Sequence, residues 1–220
     1  MARAMKNSGI EWIGEIPAAW NMAKVSRFFD IQLGKMLQPD ASEVTDTLEY
    51  YLCAVNLGGN KLKIDVLKQM WFSESDKAKF NVCKGDLLVV EGGDVASCDV
   101  ITEDVSDLYI QNALHRVRSN IGFDVRLLRY FLIFAKSCGY IDLLCNKATI
   151  AHFTKDKFSS IPYSAIPIEE QNSIADYLDT ECARIEAIIV QKEKLVAELE
   201  TCKKSLIYEY VTGKKEVPSL

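Results

Sequence analysis

Residues able to do chemistry are sparse in this chain and fall in three places. Glu91 and Asp94 flank Gly92-Gly93, so one turn would present two carboxylates. His115 stands beside Arg116 and Arg118 in Gln111-Asn112-Ala113-Leu114-His115-Arg116-Val117-Arg118, and His152 lies in Lys147-Ala148-Thr149-Ile150-Ala151-His152-Phe153-Thr154. Paired carboxylates can share general acid and base work, and a histidine can act as a base or a metal ligand. Each has a plainer explanation. Acids around a glycine pair are commonly solvated turn formers, His115 alternates as on a surface strand, and His152 has no second metal ligand in view. The chain lacks G-x-x-x-x-G-K-[ST], G-x-G-x-x-G, G-x-S-x-G and H-E-x-x-H. It also has no Pro-Pro pair, hence no Asn/Asp-Pro-Pro-aromatic motif of the kind that positions an adenine amine for methyl transfer. Seven cysteines, scattered and without a C-x-x-C pair, read as reduced thiols that mostly fill the core. The expectation is a chain with no catalytic residue, no metal and no cofactor of its own.

The elements that would hold these residues are of mixed type. Asp86-Leu87-Leu88-Val89-Val90 is the clearest strand and emerges into Glu91-Gly92-Gly93-Asp94. Before it, Trp12-Ile13-Gly14-Glu15-Ile16-Pro17 with Trp20 reads as an extended aromatic lead-in, and Val25 to Leu33 alternates into a turn at Gly34-Lys35. Tyr50–Val55 and Leu62–Val66 are expected as strands around Asn56-Leu57-Gly58-Gly59-Asn60. Val125 to Phe134, and on to Leu144, carries Leu128, Phe131, Leu132 and Ala135 at helical spacing. Residues 1–166 are therefore expected to form one α+β domain.

The last quarter is different. From Pro167-Ile168-Glu169-Glu170-Gln171 to Tyr210 no proline or glycine follows the opening residue, and a helix there would run for about 60 Å at roughly 1.5 Å per residue. Ile174, Leu178, Ile185, Ile188, Leu195, Leu199 and Leu206 mark a heptad seam flanked by Glu193, Lys194, Glu198, Glu200, Lys203 and Lys204. Glu181, Lys192 and Cys202 occupy seam positions too, where polar residues cost stability while fixing register and orientation. The seam predicts a coiled-coil dimerisation helix over 167–213 with a short tail at 214–220. The alternative is a surface helix folded back on its own domain.

Composition sets the remaining bounds. The chain has 220 residues and is 49% hydrophobic, enough for one core of about 150 residues plus the helix. No apolar run approaches the roughly 18 residues of a membrane span, and Met1 to Lys6 lacks the apolar stretch of a secretory signal, so a cytoplasmic protein with no membrane partner is expected. Up to residue 166 there are 19 Lys and Arg against 20 Asp and Glu; from 167 onward there are 7 against 11. The acid surplus sits on the helix. A near-neutral domain binds nucleic acid only by gathering its bases on one face.

Five separated motifs, in order, resemble the specificity subunit of type I restriction-modification systems. They are Trp12 to Pro17 with Trp20; Gly85-Asp86-Leu87-Leu88-Val89-Val90-Glu91-Gly92-Gly93; Gln111-Asn112-Ala113-Leu114 with Arg116-Val117; Thr149-Ile150-Ala151-His152-Phe153-Thr154; and the helix, opened by Pro167-Ile168-Glu169-Glu170-Gln171 and closed by Val211-Thr212-Gly213-Lys214. The resemblance implies a target recognition domain followed by a helical spacer. Such subunits usually carry two of each, with the helices antiparallel; this sequence has one of each. A half-length form that pairs with itself would place identical half-sites in inverted order and read an interrupted palindrome.

The resemblance further implies a non-catalytic subunit bound to double-stranded DNA. A partner methyltransferase subunit would hold S-adenosylmethionine and methylate adenine N6 after base flipping, and a restriction subunit would cut. Candidates for phosphate contact are Lys35, Lys61, Lys63, Arg116, Arg118, Lys147 and Lys155; candidate base readers are Asn56, Asn60, Asp94, Ser97, Asn112, Asn146 and Thr149. The competing expectations are a truncated specificity fragment that serves as a structural or regulatory dimerisation module without reading DNA, and an unaided enzyme acting on nucleic acid.

Overall fold

A computed structural model of the chain describes residues 3–145 and 151–218, and divides into two compact units, one ending at Asn172 and one beginning at Ser173. The first is a mixed α+β domain. It opens with β1 (Met5–Asn7), β2 (Glu15–Pro17) and β3 (Asn21–Lys24), followed by β4 (Phe29–Leu33), β5 (Thr47–Leu52) and a tight hairpin of β6 (Leu57–Gly58) and β7 (Lys61–Leu62). Next come β8 (Lys68–Phe72), α1 (Glu74–Phe80), β9 (Leu87–Val90), β10 (Cys98–Val100), β11 (Leu108–Ile110) and β12 (Leu114–Ser119). The domain continues through α2 (Val125–Ser137), α3 (Tyr140–Cys145), α4 (Lys155–Ser160) and β13 (Pro162–Ala165). The long helix α5 (Ile168–Val211) follows.

The central sheet has the order β10-β9-β12-β4, all antiparallel. Its inner strand β9 reads Leu-Leu-Val-Val and is buried on both faces, which is why an uninterrupted apolar run marks it in the sequence. Leu87 and Val89 point into one core with Leu128 and Leu132 of α2 and Phe158 of α4. Leu88 and Val90 point into the other, formed with Leu52, Met70, Phe72 and Ile110 of the three-stranded sheet β11-β5-β8. Each such side chain contributes about 1.5–3 kcal/mol by leaving water.

Two sequence expectations change. The strand expected at Leu62–Val66 is cut short, since β7 ends at Leu62; β5 pairs instead with β8, Thr47 opposite Phe72. Between them Gly59 and Asn60, both with φ of 59°, make the two-residue turn of the β6–β7 hairpin, a conformation that suits Gly and Asn. Gly34-Lys35 is likewise no turn. The Gly34 N–H donates to the Leu114 carbonyl at 3.0 Å and the Lys35 N–H to the Ile110 carbonyl at 2.9 Å, so the chain runs on beside residues 110–114. A Cβ at Gly34 would lie 2.7 Å from the Ile110 carbonyl oxygen and nearer still to that of Gln111. Only glycine admits so close an approach of two backbones.

The aromatic lead-in packs as a β1–β2 hairpin whose connecting loop stacks Trp12 on Tyr140 at 4.6 Å and against Phe131 at 5.4 Å. All seven cysteines are free; Cys53, Cys98 and Cys145 fill cores, whereas Cys83, Cys138 and Cys202 are exposed and do not. Burial pushes the Cys98 thiol up to about 12. The α5 helix has 44 residues, about 66 Å at 1.5 Å per residue, and every residue from Ala183 to Tyr208 is exposed. No helix among the described residues is long and apolar enough to cross a membrane.

Candidate nucleic-acid interface

The loop after β9, the segment 111–115 and the segment after residue 150 meet. The Glu91 N–H donates to the Ala113 carbonyl at 2.9 Å, and the Phe153 N–H donates to the Glu91 carbonyl at 2.7 Å. Gly92 bridges to His152. His115 is not on the surface: β12 is an inner strand, and the imidazole lies fully buried against Phe153 and Phe158. Its Nε2 lies 2.7 Å from the Phe153 carbonyl, so Nε2 carries the proton. Burial lowers its pKa, opposed by that hydrogen bond and by the Glu91 charge.

Glu91 and Asp94 do not form a carboxylate pair. Glu91 holds the exposed ring of His152, both oxygens within 3.1 Å of Nδ1, while Asp94 pairs with Lys136 at 2.5 Å and accepts the Gly59 N–H at 3.3 Å. Burial pushes Asp94 up, but the bonds from Lys136 and Gly59 more than offset this and hold it below its ordinary value. Among the described residues no cluster of His, Cys, Asp and Glu could hold a metal ion.

Asn60, Asp94 and Ser97 are brought together at the tip of the β6–β7 hairpin. The Asn60 N–H donates to Ser97 Oγ at 2.8 Å, the Cys98 N–H donates to Asn60 Oδ1 at 3.1 Å, and the Leu62 N–H donates to Asp99 at 2.9 Å. Asp99 in turn pairs with Arg129 of α2 at 3.0 Å. These groups clamp the hairpin onto the loop between β9 and β10.

Other candidates also have structural tasks. Asn56 is buried and accepts the Cys53 N–H at 3.1 Å while donating to the Lys63 and Val66 carbonyls at 3.1 and 2.8 Å. Lys35 is buried against Asp76, and Asn112 accepts from Gln111 Nε2 at 2.5 Å. Arg116 is 7% exposed and donates to the Asn81 side chain at 3.0 Å and to the Asn81 carbonyl. Arg118 grips buried Asp86 through two bonds of 2.6 and 2.8 Å, which raises its pKa further. For Lys35, Asn56 and Arg116, contact with DNA would require giving these bonds up; the Arg118 side chain is 34% exposed and holds Asp86 through Nε and Nη2. Lys61, Lys63 and Lys155 are exposed. Asn146, Lys147 and Thr149 lie outside the described residues.

Sequence reasoning missed two features. On β5 the alternation Leu48, Tyr50 is exposed, opposite Trp71 and Gln69 of β8, and Met36 and Leu37 are exposed on the loop between β4 and β5; the period-two pattern was legible, but its outward direction was not. The helix opening also has specific partners. Trp20 Nε1 donates to Glu170 at 2.9 Å, Arg3 pairs with the same carboxylate, and the two hydrogen bonds hold Glu170 below its ordinary pKa. Gln171 is fully buried; its Oε1 accepts the Asp124 N–H at 2.9 Å and its Nε2 donates to the Ile166 carbonyl at 2.6 Å.

No protein-family model and no curated protein matches the sequence. Solved structures do match in fold. A chain from a study of complex assembly and conformational transition of the type I R-M system aligns with a TM-score of 0.67 at 18% identity, over 93% of this chain and 48% of that one. The HsdS subunit from Thermoanaerobacter tengcongensis aligns at 0.56 and 18% identity, over 93% and 47%. The type I restriction-modification system S subunit from M. genitalium aligns at 0.51 and 17% identity, with the same coverage. The chain spans about half the length of each. Domain and helix together, it has the fold of one half of a type I restriction-modification specificity subunit.

Proposed function

We propose that this chain is a DNA-specificity subunit of a type I restriction-modification system. It binds one half-site through its domain and pairs with a second copy through α5. The pair reads an interrupted palindrome and positions methyltransferase subunits, which use S-adenosylmethionine, for adenine N6 methylation, together with restriction subunits where these are present. The chain itself supplies no catalytic group.

The observation that carries this reading is the convergence of the resembling motifs: Glu91 joins Ala113 and Phe153 through backbone bonds, Gly92 bridges to His152, the His115 ring donates to the Phe153 carbonyl, and the motif 167–171 is tied to Trp20 and Asp124. Pairing is supported by the exposed apolar seam, since Ile185, Ile188, Leu195, Leu199 and Leu206 are each about half exposed. Phosphate contact falls most naturally to Lys61, Lys63 and Lys155, which are exposed.

The test is a base-resolution map of adenine methylation in cells expressing this chain with a type I methyltransferase subunit with which it copurifies, against cells lacking the chain. A new interrupted palindrome supports the reading. Copurification with no new methylated motif overturns it in favour of a scaffold without DNA reading.

A further inference from the structure

The seam on α5 carries more information than its apolarity. Between Ile174 and Leu199 its positions are separated by steps of four, three, four, three, four, three and four residues, a sequence of steps that reads the same in both directions. A helix laid antiparallel to its own copy can therefore match every seam position from 174 to 199 to another, about a centre between Glu186 and Ala187. In that register Ile185 meets Ile188 of the second copy, Leu178 meets Leu195, and Ile174 meets Leu199. Two charged residues occupy this stretch of the seam, Glu181 and Lys192, and they meet each other.

Resting on the homodimer reading above, we infer that two copies of this chain pair antiparallel in this single register, fixed by two symmetric Glu181–Lys192 contacts. Alternative arrangements are penalised by the same two residues. A parallel, in-register pair sets Glu181 against Glu181 and Lys192 against Lys192. Sliding the antiparallel pair by one heptad sets Glu181 against Ile185 or Leu199, and Lys192 against Ile174 or Ile188, so both charges lose their partners among apolar side chains. Within one chain Glu181 already accepts from Arg184 at 2.9 Å, which holds the carboxylate at the seam edge with oxygen lone pairs to spare for the lysine. Ile189 and Val196, about half exposed, border the seam on one side and widen the apolar stripe that pairing covers.

The experiment uses the full chain. Dimer dissociation constants are measured by analytical ultracentrifugation for the parent, Glu181→Lys, Lys192→Glu and the double reversal, with far-UV circular dichroism confirming helix content. Each single reversal creates two like-charge contacts by symmetry and is expected to weaken the dimer by roughly tenfold or more. The double reversal is expected to return to within about threefold of the parent, because opposite charges meet again. A dimer that the single reversals leave unchanged, or that the double reversal weakens as much as the singles together, overturns the register while leaving the homodimer intact. A parent chain that stays monomeric at every concentration overturns the homodimer itself. Oxidative cross-linking gives a second readout: Ile185→Cys with Ile188→Cys should join position 185 of one copy to 188 of the other. Joining of 199 to 199 in Leu199→Cys alone, positions that lie about 37 Å apart along the axis in the antiparallel register, would establish parallel pairing and refute the inference.

Discussion

Replacing Gln171 by alanine tests whether the start of the long helix is bolted to the domain. The side chain is fully buried and serves two backbone groups, the Asp124 N–H and the Ile166 carbonyl. Alanine leaves both without partners, at a cost of about 1–3 kcal/mol each, so roughly 3 kcal/mol is expected for the pair. In a domain of this size each kcal/mol moves the melting temperature by about 2–4 °C, giving a fall of roughly 6–12 °C by calorimetry. Asp124 also caps α2 by accepting the Arg126 N–H at 2.8 Å, so the loss should spread to that helix. Gln171→Glu adds a sign. The introduced carboxylate still accepts from Asp124 but turns an oxygen toward the Ile166 carbonyl; burial and that carbonyl favour the protonated form. Its folded pKa is then raised above the unfolded value of about 4.3. The variant should regain stability relative to the parent on acidification and lose it as pH rises through the folded value. A melting shift below about 2 °C for alanine, with no difference in pH response for glutamate, would refute the reasoning.

Two further outcomes follow from the same domain. Gly34→Ala should cost about 3 kcal/mol in urea unfolding, since overpacking against backbone cannot relax through a side chain. Gly58→Ala, where an added Cβ meets nothing within 4 Å, should stay within about 0.5 kcal/mol, and equal effects would refute the close-approach argument. His115 is held neutral by burial, whereas in the unfolded chain it takes a proton near its ordinary value of about 6.5. The unfolded state then binds more protons, so stability should fall as pH drops below that value and be fully present above it. His115→Gln, which can still donate to the Phe153 carbonyl, should flatten the difference between urea curves at pH 7.5 and 5.5; an unchanged difference would assign it to the carboxylates.

What could be read from the residues alone was whatever rests on local pattern. Leu87–Val90 announced itself by an apolar run, α2 by Leu128, Leu132 and Ala135 at helical spacing, and α5 by its heptads. What could not be read were pairings set by distant contacts. Gly34-Lys35 looks like a turn because glycine favours turns, and only the approach of residues 110–114 makes it a strand extension. His115 looks exposed because alternation gives two faces without saying that both are covered. Among the site candidates, Lys35 and Arg118 stand out by charge, yet charge is also what buried ion pairs are built from. Asp76 and Asp86, the partners of Lys35 and Arg118, lie 41 and 32 residues away in sequence.

Because Leu87–Val90 is the common wall of two cores, the halves of the domain are not separate folding units. Opening either half strips one face of the same four residues, so the free energy of partial opening approaches that of complete unfolding. The amides of this strand should then exchange with solvent only through global opening, while the β6–β7 hairpin and the exposed Met36–Leu37 stretch exchange through local excursions. Surface loops hung on so cooperative a frame can vary in sequence without shifting the positions from which they reach outward.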